Sequence, residues 1–237
     1  MGNYPLRRLE SGEIIIDPDD DCDRVVDMML EINYDKEFCF AINFDTDFIA
    51  GLMEAGFLVM SMELKDMPGE KEPFFLLLPK LHLTRSVLMF PELRIKKSIR
   101  RFLSRYELRV NSDFEIILDK CIAIHGDAWL TRPLAEAIKN LHGKNSQVKP
   151  VSFGLYRDGE LKAGEIGISV GRVYTSYSGY YEEDNAGTVQ MILMTQWLEK
   201  TGFDFLDLGM PLDYKFAIGA KNIDPASFVG LFRKARY

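Results

Sequence analysis

The stretch from Phe203 to Ala220 reads F-D-F-L-D-L-G-M-P-L-D-Y-K-F-A-I-G-A and contains an apolar run that ends at an acid. Counting with a period of two places Phe203, Phe205 and Asp207 on one side of a strand and leucines on the other. Because both sides are apolar, we expect this strand to be central, with protein on both faces of its sheet. Asp207 is then either a site residue in a cleft or an acid that caps the following turn.

The residues before this strand predict an antiparallel meander followed by a helix. The meander has three strands, Val151 to Tyr156, Leu161 to Val170 and Arg172 to Ser178, and the helix has an apolar face that includes Val189 and Trp197. Three strands, a helix and a strand with a splayed end are the order of an acyltransferase core of the GNAT-like kind. We therefore expect an α+β fold, with a mixed, largely antiparallel sheet and flanking helices.

The N-terminal part of the chain predicts a smaller α+β domain. Its expected elements are two helical segments between Asp21 and Val59, a strand at Phe38 to Asn43, a loop at Glu63 to Glu72, and strands at Phe74 to Leu78 and Val87 to Phe90. We predict a first domain of residues 1–91 and a second of residues 92–237, which contains the acyltransferase core. Within the second domain, Asp113 to Ala123 and Pro133 to Leu141 are expected helices, and Gly143 to Pro150 is an expected linker.

Composition argues against several classes of protein. Of the 237 residues 47% are hydrophobic, yet no apolar run approaches the roughly 20 residues that span a bilayer, and the N-terminus lacks a signal core. We expect a soluble, cytoplasmic protein with no membrane partner. Cys22, Cys39 and Cys121 are widely spaced, which predicts free thiols, and the three histidines show no ligand spacing. No metal or other cofactor is expected.

A cluster of cations interrupts a chain whose net charge is −7. That net charge alone argues against nucleic-acid binding, because contacts with phosphate need Lys and Arg. The cluster consists of Arg94, Lys96, Lys97, Arg100, Arg101, Arg105 and Arg109. Ile95, Ile99 and Phe102 follow helical spacing, which predicts a basic helix over residues 92–105. Its charged flank is either a solvated face or a surface for phosphates.

Several short motifs match one known pattern in order and spacing. Trp129, Thr131, Glu136, Ala137, Leu141 and His142 match a stretch like W-I-T-P-x-x-x-E-A-Y-x-x-L-H. Glu160, Leu161, Gly164 and Gly167 match E-L-V-G-G-x-x-G, and Asp207, Gly219 and Ala220 keep the frame of L-I-D-C-Q-x-x-x-x-H-L-x-S-L-G-A. Through these motifs the chain resembles the leucyl/phenylalanyl-tRNA-protein transferases from about Phe44 onward.

Members of this family move an amino acid from the 3′ end of an aminoacyl-tRNA to the N-terminal amine of a protein. The resemblance implies two partners, an aminoacyl-tRNA and a protein or peptide with a free N-terminus, without coenzyme A or metal. It implies that Asp207 orients or deprotonates the attacking amine, and that the basic helix holds the acceptor stem by its phosphates. The substrate-binding residues that it implies are Trp129, Thr131, Tyr174, Tyr177 and Gly209.

Two of these assignments have structural alternatives. Trp129 is expected to stack on the terminal adenine of the tRNA, or else to be a core tryptophan. Tyr174 and Tyr177, together with Tyr180 and Tyr181, offer rings and hydroxyl groups to an amino-acid side chain, or are simply good strand residues.

The sequence departs from the family pattern at the expected site. Gly209 stands where the family has Gln, Tyr177 where it has Glu, and Tyr214 where it has His. These departures leave two alternatives, a non-catalytic or altered-acceptor relative that binds tRNA or a protein N-terminus, and an acyl-CoA-dependent N-acyltransferase. The acids Glu182 and Glu183 at the start of the predicted helix would repel the pyrophosphate of coenzyme A.

Overall fold

The computed structural model describes residues 6–65, 73–125, 129–144 and 146–237 and has an α+β fold. The helices are α1 Cys22–Glu31, α2 Thr46–Glu54, α3 Lys97–Leu103, α4 Phe114–His125, α5 Arg132–His142, α6 Ala186–Lys200, α7 Asp213–Ala217 and α8 Pro225–Ala235. The strands are β1 Leu58–Leu64, β2 Phe74–Lys80, β3 Arg85–Met89, β4 Glu107–Val110, β5 Val148–Arg157, β6 Glu160–Val170, β7 Val173–Tyr181, β8 Phe205–Asp207 and β9 Lys221–Ile223. None of the described helices is long and apolar enough to cross a membrane.

Seven strands form one mixed sheet in the order β4-β5-β6-β7-β8-β3-β9, and β1 pairs with β2 in a second, two-stranded sheet. Every neighbouring pair in the large sheet is antiparallel except β7 and β8, which are parallel. Two parallel strands need a crossover connection, and α6 supplies it. The expected order of three antiparallel strands, a helix and a further strand is therefore confirmed.

The large sheet opens at the end of β8. β8 pairs with β7 only over Val173 to Thr175, whereas β7 continues to Tyr181. A bulge shifts the register between β6 and β7, so that Gly167 pairs with Ser176 and the next pair skips Tyr177. Beyond Thr175, strand β7 has no pairing partner in β8, and we call this unpaired edge, next to the end of β8, the gap.

Helices cover both faces of the large sheet. Side chains of α4, α5 and α8 pack in one buried cluster with Phe205 of β8. Leu206, the next residue, packs in a second cluster with Leu198 of α6, and α3 lies against α6. Both β8 residues are fully buried, so the prediction of a central strand is confirmed. The physical reason is the period-2 alternation, which sends consecutive apolar side chains into separate cores.

The basic helix is shorter than the predicted 92–105. A 3-10 helix occupies Phe90–Glu92, and α3 begins only at Lys97, after Lys96 in an extended conformation. The backbone N–H of Arg94 donates to the carbonyl of Ile218 at 2.9 Å, which holds the intervening residues in a non-helical path. The prediction of a continuous helix was therefore wrong at its N-terminal end.

Two other predicted boundaries differ from the structure. The expected linker 143–150 overlaps β5, because Val148 already pairs with Val170 of β6, and Asn145 lies outside the described residues. The expected strand 38–43 makes only isolated bridges, among them one between Ala41 and Leu77. Of the loop expected at 63–72, residues 66–72 also lie outside the described part of the chain.

Strand β3 connects the N-terminal segment to the large sheet. It falls within the first predicted domain, residues 1–91, yet it lies between β8 and β9. One buried cluster also joins Ile14 and Ile49 to Phe205. The division at residues 91 and 92 stays a prediction, and the candidate site described below draws residues from both sides of it.

Candidate functional site

Asp207 lies at the end of β8 and is completely buried. Arg85 from β3 donates to both of its oxygens, with Nε 2.8 Å from Oδ1 and Nη2 2.5 Å from Oδ2. The Thr175 hydroxyl donates to Oδ2 at 2.9 Å, and the backbone N–H of Gly209 donates to Oδ1 at 3.0 Å. A carboxylate has about four acceptor positions. Donors therefore occupy all of them, and no position is left for a proton from a substrate.

The pair of Arg85 and Asp207 is ionised. Arg85 is 1% exposed, and its guanidinium lies 4.2 Å from the ring centre of Phe228. Burial acts to raise the pKa of Asp207, but the charge and hydrogen bonds of Arg85, together with the donors Gly209 and Thr175, lower it below its ordinary value. Because all four acceptor positions are filled, this geometry supports a role in which Asp207 positions Arg85 and the strand ends, over deprotonation of the amine by Asp207 itself. Asp207 therefore links three neighbouring strands, β7 through Thr175, its own strand β8, and β3 through Arg85.

Gly209 is buried, and both of its backbone polar groups form hydrogen bonds within the protein. It is buried at a φ of +68°, its N–H binds Asp207, and its carbonyl accepts from the N–H of Ser86 at 2.7 Å. A Cβ on Gly209 would lie 3.5 Å from Nε2 of His82. Burial lowers the pKa of His82 to about 3, so its imidazole is neutral near pH 7. A neutral histidine thus lies beside the position where the family has Gln.

Trp129 and Tyr177 lie together, with ring centres 6.3 Å apart and planes tilted by 46°. Both rings are partly exposed, and the backbone N–H of Val59 donates to the Tyr177 hydroxyl at 2.9 Å. Thr131, in contrast, is buried, and its N–H and hydroxyl both contact the Ser61 hydroxyl, at 3.0 and 2.8 Å. The structure therefore leaves Trp129 and Tyr177 available to a ligand and gives Thr131 a structural role.

The expected tyrosine cluster is divided between the two faces of the sheet. Tyr174 is buried on the α6 side, where its ring packs edge-on against Phe153 at 5.3 Å. Tyr177 and Tyr180 pack with the core on the opposite face, and Tyr181 is exposed. The prediction of one four-tyrosine pocket was wrong, because alternate strand residues point to opposite faces and the bulge at Tyr177 shifts that alternation.

Two buried ionisable residues, Glu165 and Lys215, lie near the gap, and sequence reasoning missed both. Glu165 of β6 accepts a hydrogen bond from the Tyr174 hydroxyl at 3.4 Å. Burial raises the pKa of Glu165 to about 7, although hydrogen bonds from Ser176 and Tyr174 act in the opposite direction. Burial also lowers the pKa of Lys215 to about 8. With these pKa values, both Glu165 and Lys215 can gain or lose a proton near neutral pH.

The sequence carried only a weak signal for this pair. Glu165 is the one charged residue in the otherwise apolar stretch from Ala163 to Ile168, so it was a candidate for a buried acid. Lys215 comes from the short helix α7, and its Nζ donates to the carbonyls of Leu208 and Met210 at 2.5 and 2.8 Å. A lysine in a short surface helix is normally solvated, and only the tertiary fold buries this one.

The predicted tRNA-binding cations are all exposed. They are Arg94, Lys96, Lys97, Arg100, Arg101 and Arg105. Within the described part of the chain none of the six forms a salt bridge, whereas Arg109 pairs with Glu107 at 2.8 Å. The guanidinium groups of Arg101 and Arg105 lie 4.9 and 5.0 Å from the ring centre of Phe102. This surface can therefore offer several uncompensated positive charges to phosphates.

Solved structures with a partly similar course of the chain share little sequence with this protein. FemX aligns with a TM-score of 0.49 and 11% identity, over 92% of this chain and 81% of FemX. A GCN5-related N-acetyltransferase from Kribbella flavida aligns with a TM-score of 0.40 and 13% identity, over 88% of this chain and 74% of that chain. Both scores are below 0.5, so the fold assignment rests on the sheet topology itself.

Two curated relatives are named leucyl/phenylalanyl-tRNA--protein transferase. The protein of Pseudomonas putida (strain W619) is 31% identical over 149 residues, which are 61% of this chain and 65% of that protein. The protein of Pseudomonas entomophila (strain L48) is 30% identical over 149 residues, again 61% of this chain and 65% of the relative. The matched segment thus spans just under two thirds of these relatives.

The family model described as Leucyl/phenylalanyl-tRNA protein transferase matches residues 87–233. That segment begins in β3 and ends in α8, and it contains every strand of the large sheet except the first two residues of β3. It therefore includes Asp207 and the gap between β7 and β8. This chain belongs to the leucyl/phenylalanyl-tRNA protein transferase family.

Proposed function

We propose that this protein transfers a Leu-like or Phe-like amino acid from an aminoacyl-tRNA to the N-terminal amine of a protein or peptide. The observation that carries the proposal is the family match over residues 87–233, which contains Asp207 and both strands that border the gap. Because aminoacyl-tRNA is a cytoplasmic substrate, the proposal also places the protein in the cytoplasm.

The reaction makes three demands on the protein. The aminoacyl ester is already activated, so the protein must hold ester and amine together, keep the attacking amine neutral and stabilise the oxyanion. The anchored pair of Arg85 and Asp207 fixes the ends of β3 and β8 beside the gap, and Nη1 of Arg85 has no hydrogen-bond partner among the described residues. Asp207 thus acts as a positioning residue, and it holds a buried cation beside the reacting groups.

Binding of the tRNA has a sequence-independent and a stacking component. The exposed cations around α3 contact phosphates of the acceptor stem, which positions the tRNA without reading its sequence. Trp129, partly exposed and next to Tyr177, is the platform on which the terminal adenine stacks. Tyr177 follows the last residue of β7 that pairs with β8 and borders the gap, whereas Tyr174 lies within the paired part of β7, on its opposite face.

A non-catalytic or altered-acceptor relative is the alternative that one observation favours. All acceptor positions of Asp207 are occupied by protein donors, and Gly209 supplies no side chain. An acyl-CoA-dependent N-acyltransferase is less well supported. Glu182, Glu183 and Asp184 immediately precede α6, where a pyrophosphate would need free amide groups and positive potential.

The proposal is tested by incubating the protein with labelled aminoacyl-tRNAs and reporter peptides that begin with Arg or Lys. A modified peptide is identified by its mass, which also names the transferred amino acid. We expect transfer by the wild type and a loss of at least about tenfold in kcat/KM for Asp207→Asn, because the ends of β3 and β8 lose their ionic anchor.

Asp204→Asn is the matched control, because Asp204 is exposed and pairs with Arg172 at the surface. It should transfer at the wild-type rate. If wild type transfers nothing but binds tRNA with strong salt dependence, the non-catalytic alternative is correct. If Asp207→Asn folds and transfers normally, the role assigned to Asp207 is wrong.

A further inference from the structure

Glycines surround Glu165 on the α6 side of β6 and β7. Gly179 is paired opposite Glu165 and is exposed, and a Cβ on it would lie 3.7 Å from Cβ of Glu165. A Cβ on Gly167 would lie 2.3 Å from Cζ of Tyr174, so only glycine lets that ring cross β6 and bring its hydroxyl to Glu165. Strand β7 therefore places no side chain over Glu165 at its paired position.

Glu165 has no close cationic partner within the described residues. The positive charge of Lys215 acts on Glu165, but Nζ of Lys215 donates to the carbonyls of Leu208 and Met210. No Lys, Arg or His nitrogen of the described chain lies within 4.0 Å of the Glu165 oxygens. A buried carboxylate without such a partner is costly, so its presence beside the gap calls for a ligand that completes it.

The other ionisable groups near Glu165 come from three elements. They are Tyr174 on β7, Tyr214 and Lys215 on α7, and Cys121 on α4. Helix α6, which also packs on β6, carries its ionisable residues Glu199 and Lys200 at its exposed C-terminal end. The positive charge of Lys215 is the one group here that favours the ionised carboxylate by attraction.

Building on the proposed function, we propose that Glu165 binds a protonated amino group of a substrate at the gap between β7 and β8. The same chemistry can come from two sources. One is the N-terminal ammonium group of the acceptor peptide, and the other is the basic side chain of an amino acid carried by the tRNA.

If the acceptor supplies the ammonium group, Glu165 is also the base of the reaction. The carboxylate takes one proton from the ammonium group, and the neutral amine then attacks the ester carbonyl. A C–N bond forms and the C–O bond to the 3′ oxygen breaks, while the second proton passes from nitrogen to that oxygen. Glu165 then releases its proton to solvent. The four donors on Asp207 exclude it from this role.

The experiment measures kcat/KM between pH 5.5 and 9 for wild type, Glu165→Gln and Glu160→Gln, with an Arg-initiated peptide as acceptor. Leucyl-tRNA and lysyl-tRNA are the two donors. Glu160→Gln is the matched control, since Glu160 lies on the same strand and its side chain is 73% exposed. Urea unfolding of each variant confirms that it is folded.

Two results support the proposal and separate the sources. The acceptor is the source if Glu165→Gln lowers kcat/KM at pH 7 by about 10²- to 10⁴-fold with both aminoacyl-tRNAs. In that case the rising limb of the plot of kcat/KM against pH should also move toward the pKa of the peptide amine itself. A wild-type preference for lysyl-tRNA that Glu165→Gln reduces at least about tenfold identifies the donor. Glu160→Gln should match wild type in both measurements.

A second variant distinguishes this role from a structural one. Tyr174→Phe removes one donor to the Glu165 carboxylate and should move the rising limb upward by about 0.4 to 1 pH unit. The proposal is overturned if Tyr174→Phe leaves the plot of kcat/KM against pH unchanged and Glu165→Gln stays within about twofold of wild type in pH dependence and donor preference. The proposed function would still stand in that case. Absence of transfer by wild type overturns both.

Discussion

Replacing Arg85 by Met should strongly destabilise the fold, although Met fills much of the same volume. The change removes two hydrogen bonds from Asp207 and leaves a fully buried carboxylate with only Thr175 and Gly209 as donors. A hydrogen bond to a charged group contributes about 1.5–3 kcal/mol, and breaking a buried ion pair on one side costs about 3–5 kcal/mol. We therefore expect the free energy of unfolding to fall by about 3–5 kcal/mol.

Urea unfolding followed by tryptophan fluorescence measures this loss as a shift of the midpoint at constant m. Arg172→Met is the matched control, because Arg172 also makes two contacts with an aspartate, Asp204, at 3.0 Å each. Those side chains are 48% and 41% exposed, and such surface pairs contribute about 0–1 kcal/mol. The two variants therefore compare the same chemistry at different burial.

The stability of Arg85→Met as a function of pH tests the direction in which the pKa of Asp207 is shifted. In wild type the lowered pKa of Asp207 gives stability that is present above its unfolded pKa and is lost as pH falls through its folded pKa. Without Arg85, burial dominates and raises the pKa, so the variant should become relatively more stable as pH falls. Equal losses in Arg85→Met and Arg172→Met, or a pH dependence unchanged from wild type, would refute the assignment of a buried, ionised pair.

Two further predictions concern the basic surface and the packing of the sheet. The first variant replaces three exposed cations by Glu, namely Arg94, Lys97 and Arg101. Filter binding over a salt series should show weaker tRNA binding and a salt slope lower by roughly 2 to 3, whereas Lys200→Glu should leave the slope unchanged. In the second pair, Gly164→Ala places a Cβ 2.6 Å from Tyr180 and 2.8 Å from Ile117, and thermal unfolding should show a loss of about 1–3 kcal/mol. Gly230→Ala meets nothing within 4 Å in α8 and should gain about 0.5–1 kcal/mol.

Local sequence patterns predicted most of the fold. The meander, α4, α5 and α6 lie close to their predicted positions, because the spacing of apolar residues reflects which side of an element is buried. The boundaries at the basic helix and at the linker 143–150 were wrong. There the deciding contacts come from distant residues, Ile218 for Arg94 and Val170 for Val148.

The candidate site shows the limit of sequence reasoning more clearly. Asp207 was identified because a buried strand end needs a reason to carry an acid. Its partner Arg85 is 122 residues away and reaches it only because β3 inserts between β8 and β9. The predicted role of Thr131 as a ligand contact and the predicted tyrosine pocket depended on which face each side chain occupies. A single bulge beside Tyr177 decides this for the tyrosines, and the hydrogen bonds to Ser61 decide it for Thr131.

The sequence by itself determined the order of the elements, the buried strand ending at Asp207 and the membership of the leucyl/phenylalanyl-tRNA protein transferase family. The tertiary structure decided the state of each site residue. It made Asp207 a fully paired anion, Gly209 a backbone contact and Glu165 a buried acid with a pKa of about 7. The physical reason is that periodicity encodes burial, whereas charge state depends on which donors and how much water the folded chain brings to a group.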